Sequence, residues 1–268
     1  MTQPYKRRVN NEAHISLRDI TMSYGNYVVM RDISFTINRG DIFVIMGGSG
    51  CGKSTLMKVM LGLKQPETGH VFYEDIDFWE SDQPVRNEIL KNVGVLYQRG
   101  ALWSSMTLAE NIALPLEEYT DLSVSQVREI VSFKLSLVGL AGFERFYPSE
   151  LSGGMIKRAA LARAIALDPE ILFFDEPSAG LDPISARLLD DLILELRESL
   201  QTTVVVVSHE LESILAIGDN SIFLDADTKT MIASGNPRSI QKESPDSKVG
   251  AFLTRGKPVF SEKPGERL

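Results

Sequence analysis

The sequence predicts an α/β fold built around a mostly parallel sheet, and three observations carry that prediction. Ile42-Phe43-Val44-Ile45-Met46 is a continuous apolar run of strand length, as a strand covered on both faces requires. It leads into a glycine-rich loop and then into apolar positions at helical spacing. Farther on, Ile171-Leu172-Phe173-Phe174 and the run from Val204 to Val207 repeat the strand signature, with helical segments between them.

The chain has 268 residues, of which 43% are hydrophobic, enough for one domain with subdomains around a real core. A net charge of −8 and a pI near 5.1 argue against a basic nucleic-acid-binding surface, so no nucleic-acid partner is expected. Lys6-Arg7-Arg8 is the basic cluster near the start and reads as a solvated tail, with contact to anionic lipid or a partner as the alternative. No apolar run approaches the ~20 residues that span a bilayer, and no signal-peptide core is visible, which points to the cytosol. The one cysteine, Cys51, excludes an internal disulfide and reads as a small loop residue valued for its backbone amide rather than as a redox switch. His14, His70 and His209 show no ligand-like spacing, so a zinc site is not expected.

Taken in order, residues 1–12 are polar and read as loose. Ile15-Ser16-Leu17 and Ile33-Ser34-Phe35-Thr36-Ile37 alternate apolar and polar like half-buried antiparallel strands, followed by a turn at Asn38-Arg39-Gly40-Asp41. After the apolar strand and its loop, a helix runs from Lys53 to Leu61 and is stopped by Gly62. Val71-Phe72-Tyr73 and Val93-Gly94-Val95-Leu96-Tyr97 read as further strands. Helical patterns dominate about 100–165: Thr107-Leu108-Ala109-Glu110 is a capping box, and Val124 to Leu137 suggests another helix. Ser152 caps a helix read as extending to Leu167, ahead of Asp168-Pro169. Asp182-Pro183 opens a helix with a cap and a proline at its first position. From Gln241 the chain turns rich in Pro, Gly, Ser and charge, and residues 241–268 read as a tail that is loose unless a partner orders it.

Three sites of chemistry fall at strand or helix ends. Gly47-Gly48-Ser49-Gly50-Cys51-Gly52-Lys53-Ser54-Thr55 fills the G-x-x-x-x-G-K-[ST] pattern through Gly47, Gly52, Lys53 and Ser54. Its glycines turn backbone amides inward as an anion nest, Lys53 supplies charge to the outer phosphates of a nucleotide, and Ser54 offers a hydroxyl to Mg²⁺. Asp175-Glu176 closes a hydrophobic strand; Asp175 would hold Mg²⁺ and Glu176 would polarise the attacking water, although such a pair can also merely cap the next helix. Ser152-Gly153-Gly154 begins a helix whose first-turn amides are open to an anion, or is a cap without a ligand.

Together, the phosphate loop and Leu151-Ser152-Gly153-Gly154-Met155 resemble the ATP-binding-cassette (ABC) ATPases over about residues 15–236. The resemblance implies the ABC ATPase fold: a RecA-like P-loop core, an antiparallel β subdomain and an inserted α-helical subdomain near 100–165, within a domain of residues 13–240. It implies ATP and Mg²⁺ as cofactors, ATP hydrolysis, and a dimer with a second copy of the chain in which Ser152, Gly153 and Gly154 contact ATP held by the other protomer's loop. By the same resemblance, Tyr24 stacks on adenine, where the residue alone admits a core place as well. Gln98 matches the glutamine that touches Mg²⁺ and water and senses a permease, and the loop Ser178-Ala179-Gly180-Leu181-Asp182 crosses the dimer interface. His209 matches the switch histidine at the γ-phosphate, and by itself reads rather as a satisfied strand-end histidine.

The stretch from Tyr97 to Asn111, Met155 in place of a common glutamine, and Lys157-Arg158-Ala159-Ala160-Leu161-Ala162-Arg163-Ala164 look like the Mla-type ATPases. That branch energises phospholipid traffic between the two membranes of a Gram-negative envelope, on the cytoplasmic face of the inner membrane. Its partners are an integral-membrane permease dimer, an MCE-domain lipid-binding subunit and sometimes a STAS-domain protein. Leu102, Trp103 and Met106 read either as a permease docking surface or as subdomain core. The rival reading is the ATPase of an importer for a small solute such as an amino acid or a metal, which shares every catalytic residue. A GTPase is disfavoured by the lack of an Asn-Lys-x-Asp motif, and a DNA- or ribosome-acting cassette by the lack of a second cassette or a long coiled coil.

Overall fold

A computed structural model describes residues 12–243 and 246–254, so the expected loose start lies outside them but for residue 12. Strands β1 (Ala13–Tyr24) and β2 (Tyr27–Asn38) form an antiparallel hairpin that brings Tyr24 opposite Tyr27 across Gly25-Asn26. The predicted alternation is real: Ile15, Leu17, Ile33 and Ile37 all point into the core. Strand β3 (Ile42–Gly47) is buried along its whole length and delivers the phosphate loop to helix α1 (Lys53–Met60). Gly62, at φ 71°, turns the chain away just past that helix.

Strands β4 (Thr68–Tyr73) and β5 (Ile76–Asp77) complete an antiparallel sheet of order β2-β1-β4-β5. Helix α2 (Gln83–Lys91), capped by Asp82, returns the chain to strand β6 (Val93–Leu96). A helical stretch follows: α3 (Leu108–Tyr119), α4 (Val124–Leu137), a 3₁₀ turn (Pro148–Glu150) and α5 (Gly153–Ala164). Capping boxes start α3 at Thr107 and α4 at Ser123, where side chain and backbone amide satisfy each other reciprocally. The remainder is β7 (Ile171–Asp175), α6 (Pro183–Leu200), β8 (Thr203–Val207), α7 (Leu211–Ile217), β9 (Asn220–Asp225), β10 (Thr230–Gly235), α8 (Pro237–Glu243) and α9 (Ser247–Thr254).

The second sheet has the order β10-β9-β3-β8-β7-β6, parallel except for β10 against β9. It explains the continuous apolar run in β3: Ile42, Val44 and Met46 face a core shared with the helices, while Phe43 and Ile45 face one shared with α1 and the antiparallel sheet. Since β3, β8 and β7 are neighbours, the chemistry at their carboxyl ends falls on one edge.

At the other end of the sheet, His14, Glu74 and Glu170 come together although they are scattered in sequence. His14 Nδ1 lies 2.7 Å from Thr203 Oγ1, and burial, with Arg39 nearby, pushes the imidazole down to about 4. The Arg39 guanidinium donates to Glu170 at 2.8 Å and also to Glu74, so an internal cation already balances these carboxylates.

Two element boundaries differ from the sequence expectation. Helix α5 stops at Ala164 rather than Leu167, because Ile165 takes the C-cap and Asp168 adopts a left-handed φ of 50°. The tail is not loose over residues 247–254. Val249, Phe252 and Leu253 recur at helical spacing; Val249 and Leu253 are fully buried, and Phe252 meets Phe223 edge-on at 5.1 Å. Lys248 anchors the same helix to Asp225 at 3.0 Å and Asp227 at 2.7 Å; the Thr228 N–H, with Lys248 in support, holds the Asp225 carboxyl well below the usual carboxylate range.

Candidate functional site

The phosphate loop is organised by its own lysine. Lys53 Nζ donates to Gly47 O at 2.9 Å and Gly48 O at 3.0 Å, which seats the ammonium inside the loop. Gly52 is the N-cap of α1 at φ 100°, and no side chain caps that helix, so its first-turn amides face the loop. A Cβ at Gly52 would strike Met30 and Val29, so both φ and space demand glycine there. Gly48, Ser49, Gly50 and Ser54 are exposed at the mouth and Thr55 is half-buried. Cys51 is buried, and burial pushes its thiol up, which disfavours a reactive thiolate.

The neighbouring strand ends bring carboxylates to that loop. Asp175 Oδ1 accepts from Ser54 Oγ at 3.3 Å, joining residues far apart in sequence. Burial holds the Asp175 carboxyl above its usual range, against the Ser54 hydrogen bond; Glu176 pushes the same way as burial. A hydroxyl and a carboxylate in this arrangement are the hard oxygen donors Mg²⁺ takes, and a cation would relieve the raised carboxyl, so the residues fit the ion.

Glu176, one residue on, is buried and left-handed at φ 49°. Its N–H donates to Val207 O at 2.8 Å, fixing it to the end of β8. Its carboxylate is held from the next residues of that strand end: His209 Nδ1 lies 2.7 Å from Oε1, and the His209 N–H donates to Oε2 at 3.4 Å. His209 itself is exposed, so the imidazole presents its ring to solvent while gripping a buried carboxylate. The arrangement can hold a proton acceptor with a titratable partner beside a phosphate nest.

Gln98 lies two residues beyond the end of β6 on an exposed loop, rather than at the strand end as the sequence suggests. Its carbonyl accepts from Lys157 of α5, a residue sequence reasoning used only as a mark of the branch. Lys157 is buried and also donates to Glu176 O at 3.2 Å. A lysine amid an otherwise apolar helical face was the available signal for such a role.

Ser152 caps α5, accepting the Met155 N–H at 3.3 Å, and Ser152 and Gly153 are exposed. Gly154 lies against Ser185 of α6, where a Cβ would come within 3.3 Å of its hydroxyl, so the first turns of α5 and α6 pack together. Asp182 caps α6 by accepting from Ile184 and Ser185 amides at 3.0 Å, and the Ser185 hydroxyl together with these bonds holds its carboxyl below the usual range. Ser152, Gly153 and Asp182 therefore share one exposed surface. Tyr24 is 48% exposed, which removes the core alternative for it; Lys64 Nζ lies 4.8 Å from its ring centroid.

The two readings of Leu102, Trp103 and Met106 divide by residue. Leu102 packs on the core, Met106 is half-buried, and Trp103 is 58% exposed. The loop carrying Trp103 is pinned by Asn111, a fully buried α3 residue. Asn111 Oδ1 accepts the Trp103 N–H at 2.7 Å, and its amide donates to Trp103 O at 3.1 Å, Met106 O at 3.1 Å and Thr107 O at 2.9 Å. Among the described residues no helix is long and apolar enough to cross a membrane.

Several known proteins are similar to this chain. The family described as ABC transporter matches residues 30–179. The intermembrane phospholipid transport ATP-binding protein MlaF of Haemophilus influenzae is 41% identical over 243 residues, 91% of this chain and 91% of that protein. The Escherichia coli K12 protein of the same name is 41% identical over 239 residues, 89% of this chain and 88% of its own. The probable ribonucleotide transport ATP-binding protein mkl of Mycobacterium tuberculosis is 39% identical across 89% of this chain and 66% of its own length. Among solved structures, a dimeric post-hydrolysis state of the cassette MJ0796 bound to ADP and Pi superposes with a TM-score of 0.74 at 28% identity, covering 82% of this chain and 97% of that one.

Proposed function

The chain belongs to the ABC transporter family and is an ATP-hydrolysing subunit, and from that premise we propose that it powers intermembrane phospholipid transport through a separate permease. The observation that carries the mechanism is the Glu176–His209 pair at 2.7 Å, beside the loop that holds Lys53. The substrate assignment is supported by the likeness to two intermembrane phospholipid transport subunits over nine-tenths of the chain.

In this reading Tyr24 stacks on adenine, and the amides of residues 47–55 cradle the phosphates. Lys53 turns its charge from the loop carbonyls to the outer phosphates. Ser54, Asp175 and Gln98 would hold Mg²⁺, which would supply positive charge to neutralise the phosphates. Glu176 takes the proton of the attacking water, and His209 orients that carboxylate and meets the γ-phosphate as the site closes. Ser152, Gly153, Gly154 and Asp182 complete the site across a dimer with a second copy of the chain, so ATP binding closes the pair and hydrolysis reopens it. We read residues 13–240 as the ATP-binding domain, with a helical subdomain at about 100–165 that meets a permease dimer on the cytoplasmic face of the inner membrane. An MCE-domain lipid-binding subunit and a STAS-domain protein complete the assembly we expect.

Two experiments test the reading. Glu176→Gln should keep ATP binding, lower turnover by about a hundredfold or more, and accumulate a closed dimer; undiminished turnover refutes Glu176 as the base. Purification from membranes in mild detergent should co-isolate a permease, an MCE-domain protein and phospholipid. A solute-binding protein in their place would favour a small-solute importer, and nucleotide cargo would favour the substrate in the mkl relative's name.

A further inference from the structure

Lys157 is a buried charge beside the catalytic residues that the catalytic reading leaves unused. It lies on α5, five residues after the Ser152 cap, and only 5% of it is exposed. Its ammonium donates to two backbone carbonyls from different parts of the fold: Gln98 O, on the loop after β6, and Glu176 O at 3.2 Å, at the end of β7. Burial lowers its proton affinity, while Asp175 and Glu176 push it back up. A side chain needed only to fill space would be apolar, since a buried ammonium is costly unless its donors are matched.

What the ammonium holds is unusual backbone. Glu176 sits at φ 49°, a conformation that costs a non-glycine residue energy and persists only where its surroundings over-determine it. Its N–H is fixed by Val207 O and its carboxylate by His209. Its carbonyl accepts the Ala179 N–H at 3.2 Å within the same turn, and Lys157 adds a charged donor to it from another element. The other end of the link is equally constrained. Arg163, also on α5, donates to Ala101 O at 2.8 Å and Gly100 O at 3.1 Å. The loop from Gln98 to Ala101 is thus strapped to α5 at three carbonyls, and of the two straps only Lys157 also reaches Glu176.

We propose that Lys157 is a positioning residue through which the Gln98 loop and α5 set the backbone of Glu176, so that displacement of the loop by a bound partner changes the orientation of the base. This rests on the reading of Glu176 as the base and of Gln98 as the partner-sensing residue. Lys157 touches no reactant; it acts through Glu176. The helix that begins with the partner-facing Ser152 therefore also carries the contact that aligns the base in its own chain.

Steady-state ATPase of the full chain tests this with Lys157→Met, nearly isosteric but without a donor, beside Arg163→Met as control. Lys157→Met should lower kcat about tenfold with KM for ATP within about twofold, and Lys157→Gln, which keeps two N–H donors, should recover part of the rate. Arg163→Met frees only the Gly100-Ala101 end of the loop and leaves Lys157 holding Gln98 to Glu176, so its basal kcat should stay within about twofold. Amide hydrogen exchange of the nucleotide-free proteins gives a second readout. In Lys157→Met, protection should fall together in peptides covering residues 97–106 and 176–182, and not in α4 or β9. A kcat for Lys157→Met equal to wild type overturns the proposal, as does an equal loss of kcat in both variants with exchange raised throughout the chain. Turnover retained by Glu176→Gln would instead remove the catalytic reading beneath it.

Discussion

Asn111→Leu removes the hub that holds the Trp103 loop, and its cost follows from the bond inventory. The Asn111 carbonyl accepts one N–H, and its amide has two hydrogens to share among three carbonyls at 2.9–3.1 Å. That amounts to three full hydrogen bonds at about 1 kcal/mol net each, so the loss should be about 3 kcal/mol. Trp103 and Met106 are not deeply buried, so water can recover part of it, which sets a lower figure of about 2 kcal/mol. Leucine has the same number of side-chain heavy atoms, branched at the same carbon, and is bulkier, so no cavity term is added. Urea unfolding followed by circular dichroism reads the shift in midpoint, and ATP affinity of the folded variant should be unchanged, because Asn111 is remote from the phosphate loop in the bonding network. Asn111→Asp sharpens the test: it keeps the acceptor for the Trp103 N–H but sets a carboxylate against three carbonyls. It should be worse than leucine at neutral pH and improve as acid protonates it. A loss below about 0.5 kcal/mol for leucine, or an aspartate variant as stable as wild type, would refute the hub.

Trp103→Glu should leave ATP binding by the isolated subunit intact and abolish stimulation by the permease, the loss of a tryptophan anchor weakening docking by about thirtyfold; loss of ATP binding itself would sink this. Asp190 on α6 is buried, accepts from Ser213 Oγ at 2.8 Å, and has its other oxygen buried with no hydrogen-bond partner among the described residues; burial pushes its carboxyl up to about 6. A raised carboxyl means the native state binds the proton more tightly, so Asp190 costs stability above pH 6 and not below the ordinary carboxylate value. Asp190→Asn should therefore be more stable than wild type by about 2 kcal/mol at pH 7.5, with the gain fading between pH 6 and 4. A difference independent of pH in denaturation curves would contradict it.

The parts of this molecule written in contiguous residues were legible. The β3 run, the capping box at Thr107, the helix from Val124 to Leu137, the Gly62 stop and the Asp182-Pro183 start each depend on neighbouring side chains, and each is where the sequence puts it. Motif order also placed the phosphate loop, Asp175-Glu176 and His209 at three strand ends, since a parallel sheet collects its carboxyl ends on one edge. What escaped was long-range pairing. Lys157 reaches two carbonyls, and carbonyls carry no residue-type signal. Asn111 likewise binds main chain, so only its burial reveals it. Helix α9 was hidden by composition: its apolar residues are few, and a charged and proline-containing stretch outweighs them until Phe223 and Asp225 are in place to receive it.

The left-handed backbone of Glu176 has a consequence for anyone who would engineer this chain. At φ 49° glycine or asparagine would relax the main chain, so a search for thermostabilising substitutions guided by backbone preference would nominate this position. On the role proposed above for Glu176 as the base, the more heat-resistant variants found there would be inert, because the carboxylate facing His209 is what the strain supports. Sequence libraries screened on melting temperature alone should hold position 176 fixed.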